Sequence, residues 1–141
     1  MIKKKILFLC TGNSCRSQMA EGWTRHLWKD TLDPYSAGIE KHTLNPYAVK
    51  VMAEVGIDIS SYYPKTINEL PIHNFDLVIT VCDNVRKQCP HPPNHTKLIH
   101  VGFDDPPQLA QFAKTEEEIL NIYRCIRDEI KRFIEIIDTY L

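Results

Sequence analysis

The sequence predicts an α/β fold: one domain over residues 1–141, an open four-stranded parallel sheet with helices on both faces. Three observations carry this. Short apolar runs alternate with stretches of helical periodicity, as βαβ units require. Lys4–Leu9 is apolar at consecutive positions through Ile6-Leu7-Phe8-Leu9, the mark of a strand buried on both faces. The C-terminal stretch carries a single apolar stripe at helical spacing. A chain of 141 residues has room for one such domain and its core.

The elements follow in order. After the strand at Lys4–Leu9, residues Ser17 to about Leu32 read as a helix, with Met19, Trp23, His26 and Leu27 at helical spacing. Tyr35–Ile39 is a short second strand. Asn45-Pro46 pairs an N-cap with a proline at the first helical position, and Gly56 ends that helix. Residues 57–74 are less regular and hold Tyr62, Tyr63 and Pro64. Phe75–Val81 is the clearest central strand, and Lys97–Val101 is the fourth. The last helix starts at Thr115, with Glu118 three residues on, a capping box; Glu116 and Glu117 add negative charge where the helix dipole favours it. Ile119, Ile122, Tyr123, Ile126, Ile130, Phe133, Ile134 and Ile137 form its stripe, and Cys125 is expected in the core beside it. There are no repeats, linkers or low-complexity tracts.

Composition narrows the function classes. Hydrophobic residues make up 43% and charged residues 25%, ordinary for a globular protein. A net charge of −1 gives no general attraction to nucleic acid or membrane. The start, Met1-Ile2-Lys3-Lys4-Lys5, is basic, but the apolar run behind it is too short for a secretory segment, and no run spans a membrane. The expectation is a cytoplasmic protein, a monomer, whose five cysteines are reduced and whose disulfides are catalytic or transient.

The chemistry concentrates in Cys10-Thr11-Gly12-Asn13-Ser14-Cys15-Arg16-Ser17. Five residues separate Cys10 from Arg16, in a loop between a strand and a helix. Backbone N–H groups of such a loop converge on a tetrahedral anion, and the helix N-terminus adds its dipole. Arg16 offers a planar fork for phosphate-like oxygens. Cys10 lies beneath as nucleophile, and the same donors are expected to lower its pKa. Gly12 supplies positive φ and Asn13 tolerates it; Ser14 and Ser17 can donate within the loop or to the sulfur. No Gly-Lys-Ser/Thr follows, so this is not a Walker loop.

In a parallel sheet, ligands bind beyond the C-terminal ends of the strands. Cys10 and Cys82 each follow a strand, which puts both on one rim. Cys89 comes seven residues after Cys82. If that segment is helical, the two sulfurs share a face about 10.5 Å apart along the axis, too far for a disulfide until the helix unwinds. Two plainer readings compete: inert packing cysteines, or a metal clip drawing on Cys82, Cys89, His91, His95 or His100, although this is not a usual zinc spacing. Phe103-Asp104-Asp105-Pro106-Pro107 follows the fourth strand on the same rim. Attack on a phosphate-like centre needs an acid for the departing oxygen. Pro106 holds Asp105 extended and makes it that acid, with Asp104 as its rival.

The residues from Cys10 through Ser17, the Asp105-Pro106 step and the alternating elements resemble the low-molecular-weight protein tyrosine phosphatase fold along nearly the whole chain. Cys82 and Cys89, with Cys10, resemble the three-cysteine arrangement of thioredoxin-coupled arsenate reductases, which share that fold. The resemblance implies that arsenate binds in the 10–17 loop, Cys10 attacks arsenic and Asp105 protonates the leaving oxygen. Cys82 then attacks Cys10 and arsenite leaves. Cys89 takes the disulfide over as Cys82–Cys89, and thioredoxin reduces it. No tightly bound cofactor is implied. Some relatives hold potassium under the loop; Asn13, Glu21 and Ser36 match three of its ligands. The acidic fourth falls where this chain reads Tyr63-Pro64-Lys65, so Lys65 offers a positive charge instead. Cys15 is assigned a structural role. The runner-up function is a tyrosine phosphatase, with Tyr62 and Tyr63 as its aromatic wall; a thiol redox switch would leave Arg16 and Asp105 without purpose.

Overall fold

Ile6 through Cys10 are buried without a gap. Successive strand residues face opposite sides of a sheet, so both faces of this strand are covered. The computed structural model describes residues 2–82 and 96–141. It contains strands β1 (Lys4–Cys10), β2 (Leu32–Gly38), β3 (Leu77–Thr80) and β4 (Lys97–His100). They form one parallel sheet in the order β2-β1-β3-β4. The register sets Cys10 beside Gly38 and Leu9 beside Thr80, so β1, β2 and β3 end on a common rim.

The helices are α1 (Arg16–Leu27), α2 (Pro46–Glu54), the short α3 (Pro106–Leu109) and α4 (Glu116–Glu135). Asn45 caps α2 as expected, its Oδ1 accepting from the N–H groups of Tyr47 and Ala48 at 2.9 and 3.3 Å. Gly56 beyond its end takes φ 82°, the left-handed turn that favours glycine. At α4 only half of the capping box forms. Thr115 Oγ1 accepts from the Glu118 N–H, but the Glu118 carboxylate reaches past Thr115 to the Lys114 N–H at 2.6 Å. Two indole N–H groups tie the N-terminal helix to the C-terminal one: Trp23 donates to Arg127 O at 3.1 Å and Trp28 to Ile134 O at 2.8 Å.

Three expectations need correction. The first helix stops at Leu27, not near Leu32; Leu32 is buried at the start of β2, which begins three residues earlier than expected. The polar stretch Lys29-Asp30-Thr31 interrupts the stripe and makes the turn. Cys125 is exposed. At about 100° per residue it shares the outer face of α4 with Asn121, Glu129 and Arg132, while Ile126 and Ile130 face the core. Pro106–Leu109 is a helix that sequence periodicity did not mark.

Candidate active site

β1 delivers Cys10 to the rim, and the following residues wrap a cavity of about 230 Å³ lined by Cys10, Thr11, Gly12, Ser14, Cys15, Arg16, His42, Asp105 and Pro107. Two donors are aimed at the Cys10 sulfur. Asn13 N–H lies 3.1 Å away and Ser17 Oγ 2.8 Å away. Asn13 Nδ2 donates to Ser17 Oγ at 2.8 Å, which leaves the Ser17 proton to point at sulfur.

These donors do not win in the ligand-free protein. Burial pushes the Cys10 thiol up, against the pull of Ser17 and Asn13. This reverses the expectation of a lowered pKa, and the position of Arg16 explains part of it. The guanidinium is turned to the acid loop, with Nη1 donating to Phe103 O at 2.9 Å and Nη2 3.5 Å from Asp105 Oδ1. Arg16 and Asp105 thus flank one cavity. Asp105 is extended (φ −81°, ψ 110°) ahead of Pro106, as expected, and starts α3. Asp104 does not line the cavity around Cys10.

The left-handed turn of the loop falls one residue after Gly12. Asn13, not Gly12, has the left-handed backbone, φ 53°. Gly12 is needed for space, because a Cβ there would fall 2.1 Å from Nδ1 of His42. Asn13 is fully buried and fully engaged: its Oδ1 accepts from Gln18 Nε2 and from Lys65 N, each at 3.0 Å.

Cys82 is buried beside the loop, its sulfur 3.2 Å from Thr11 Oγ1, and its nearness adds to the upward push on the Cys10 thiol. Cys89, and with it the question of a helix from Cys82, lies outside the described residues, as do His91 and His95 of the metal-clip reading. Among the described residues no cluster of His, Cys, Asp and Glu could hold a metal. Cys15 is buried at the N-cap of α1, its carbonyl accepting from the Met19 N–H at 3.0 Å. Burial pushes its thiol far up despite the adjacent Arg16.

Asn13, Glu21 and Ser36 do gather under the loop, but protein donors already claim their oxygens. Ser36 Oγ donates to Glu21 Oε1 at 2.7 Å, and Arg25 Nε to Glu21 Oε2 at 3.2 Å. The Lys65 ammonium lies 3.4 Å from Asn13 Oδ1 and 3.1 Å from Tyr63 O. Burial pushes Lys65 down, and the Glu21 carboxylate offsets only part of this. This donor set fits a resident lysine cation rather than potassium. Tyr62 and Tyr63 line a separate cavity with Glu21, Arg25 and Lys65, so they do not wall the Cys10 cavity.

Sequence reasoning missed His42 and Asn45's second role. His42 lines the Cys10 cavity, with Nε2 2.9 Å from Glu40 Oε1. Asn45, besides capping α2, donates through its Nδ2 to Tyr123 Oη at 2.9 Å, and burial pushes that phenol up to about 12. Asn45 was marked by its cap chemistry; His42 sits in the irregular 39–45 segment, where no periodicity or motif points to it.

Residues 5–139 match the family model for low molecular weight phosphotyrosine protein phosphatase. An arsenate reductase of Bacillus licheniformis is 53% identical over 139 residues, covering 96% of this chain and 98% of that protein. A solved arsenate reductase in the oxidized state superposes with a TM-score of 0.77 at 30% identity, over 94% of each chain. A low molecular weight protein tyrosine phosphatase from T. tengcongensis gives the same TM-score of 0.77 at 25% identity, covering 99% of this chain and 100% of that one. With a family model spanning nearly its whole length, and relatives named arsenate reductase at about half identity, this chain belongs to the low molecular weight phosphotyrosine protein phosphatase family.

Proposed function

We propose that this protein reduces arsenate to arsenite through Cys10, Cys82 and Cys89, with thioredoxin as the dithiol that restores them. The observation that carries the reading is the Cys82 sulfur, 3.2 Å from the hydroxyl of Thr11 in the Cys10 loop. A phosphatase of this fold has no use for a second thiol there, and the relatives at about half identity are named arsenate reductase.

Arsenate enters the 10–17 loop, and Arg16 exchanges its contacts at Phe103 O and Asp105 for the oxyanion. Cys10 forms a bond to arsenic. The thiol proton and a substrate hydroxyl leave together as water, with Asp105 carrying the proton. Cys82 attacks the Cys10 sulfur next. An S–S bond forms, the S–As bond breaks, and its electron pair reduces arsenic from the +5 to the +3 state. Cys89 displaces Cys10 from Cys82, and thioredoxin takes up the resulting Cys82–Cys89 disulfide by thiol exchange. Lys65 supplies the positive charge under the loop, so potassium has no step here. The proposed setting is the cytoplasm, and the working form a monomer without nucleic-acid or membrane partners.

Because the loop recognises tetrahedral oxyanions, slow hydrolysis of aryl phosphates should accompany reduction. The test is arsenite release with thioredoxin, thioredoxin reductase and NADPH, with para-nitrophenyl phosphate hydrolysis run alongside. Cys82→Ser and Cys89→Ser should each abolish arsenite turnover, a loss of at least about 100-fold, and leave phosphate-ester hydrolysis near the parent level. Normal arsenate turnover in either variant refutes the relay.

A further inference from the structure

The loop around Cys10 is held open from outside by residues 39–45. In a trans peptide the N–H and C=O point in opposite directions, and no cis bond occurs among the described residues. Thr11 O accepts from Ile39 N and Glu40 N, both at 3.1 Å; Gly12 O accepts from His42 N at 3.1 Å; Ser14 O accepts from Asn45 N at 3.0 Å. Each carbonyl drawn outward turns its own peptide's N–H the other way. The affected N–H groups are those of Gly12, Asn13 and Cys15. The Asn13 N–H is the one seen at its target, 3.1 Å from Cys10 Sγ.

One residue of this strap grips the loop through its ring as well as its backbone. His42 lines the cavity, and its imidazole lies on Gly12 so closely that a Cβ there would meet Nδ1 at 2.1 Å and Cγ at 2.3 Å. Nε2–H donates to Glu40 Oε1 at 2.9 Å, which ties the ring back to the strap. The peptide it grips precedes Asn13, whose φ of 53° is the one left-handed non-glycine conformation among the described residues. A strained backbone persists only where its surroundings over-determine it.

We propose that His42 is a positioning residue for this site: main chain and ring together hold the Gly12–Asn13 peptide with its N–H turned on the Cys10 sulfur. The assignment rests on the reading of residues 10–17 as the oxyanion loop. Its consequences are two. The backbone of the loop is set for a tetrahedral anion before one enters, so that only the Arg16 side chain has to swing in, and the Asn13 N–H stays available to ease Cys10 ionisation.

The experiment uses the full chain with inorganic phosphate as the probe. Calorimetry gives the phosphate affinity, and iodoacetamide labelling of Cys10, followed by peptide mass spectrometry across pH, gives its ionisation. His42→Ala removes the ring and keeps the main-chain bond to Gly12 O. With the peptide less firmly held, it should weaken phosphate binding about tenfold, as if one loop N–H no longer met the anion, and move the Cys10 labelling profile to higher pH. Glu40→Ala, which frees the ring but leaves His42 in place, should move both in the same direction by about threefold in affinity. Parent-like affinity and labelling in both variants overturn the proposal. So does weaker binding that follows a fall in melting temperature with no shift in the labelling profile, since that marks a merely structural residue. Arsenite release by the parent protein is measured in the same preparations. If it is absent, the proposed reaction fails, while the phosphate and labelling results still decide the role of His42.

Discussion

Ser17 shows how one hydroxyl can bias a reaction it never enters. It receives a hydrogen bond from Asn13 Nδ2 and faces the Cys10 sulfur at 2.8 Å. Asn13 Oδ1 is in turn approached by the Lys65 ammonium at 3.4 Å. A positive charge thus polarises an amide, the amide a hydroxyl, and the hydroxyl the thiol. Burial still holds Cys10 above the ordinary thiol range in the free protein. Its thiolate fraction therefore climbs with pH later than that of a free thiol. The sign of the stability effect follows: a raised pKa stabilises the fold fully below the unfolded value, and that contribution is lost as pH rises through the folded one. Ser17→Ala removes a lowering contact, so the labelling profile of Cys10 should move to higher pH, by about one unit on the scale of a single hydrogen bond. Lys65→Met should move it the same way by less. A Ser17→Ala profile that coincides with the parent, or moves to lower pH, excludes this chain of dipoles.

At the scale of elements, the site is the place where β1, β2 and their following loops cross. Gly38 ends β2 at the closest approach. A Cβ there would meet Glu40 O at 2.6 Å, Thr11 O at 2.8 Å and Asn13 N at 2.9 Å, all backbone atoms that cannot rotate aside. Gly38 N–H also donates to Lys65 O at 2.8 Å, which fixes the segment carrying this half-buried lysine. Gly38→Ala should cost about 1–3 kcal/mol in urea unfolding, the usual range for overpacking, and weaken phosphate binding as well. Parent-like values of both would mean that the crossing has slack. Elements with local chemical marks were legible in the sequence. Asn45-Pro46 and Gly56 bracket α2 because cap and stop each rest on the residue itself. Leu32 misled because it stands four positions, about one turn, after Trp28, where an apolar residue continues a helix face as readily as it opens a strand. A helix of four residues, Pro106–Leu109, is too short to carry a period at all.

For the whole molecule, the sheet order β2-β1-β3-β4 is what converts distance along the chain into proximity. β1 and β3 are neighbours, so Cys10 and Cys82, 72 residues apart in the sequence, end on one rim, and β4 leads on to Asp105 beside them. That much of the site could be read from strand-end positions, because a parallel sheet has one ligand-binding rim. The ionisation of Cys10 could not, because it depends on where Arg16 points and how deeply the sulfur is buried. Nor could the grip of His42 on Gly12, a contact between two irregular segments. The relay itself is tested most directly by stopping it midway. Cys89→Ser protein, treated with excess arsenate and no reductant, should release about one arsenite per chain. Peptide mass spectrometry should then find Cys10 and Cys82 joined in a disulfide. Stoichiometric arsenite with both thiols still free, or a disulfide joining Cys10 to Cys15 instead, would contradict a transfer from the first sulfur to the second.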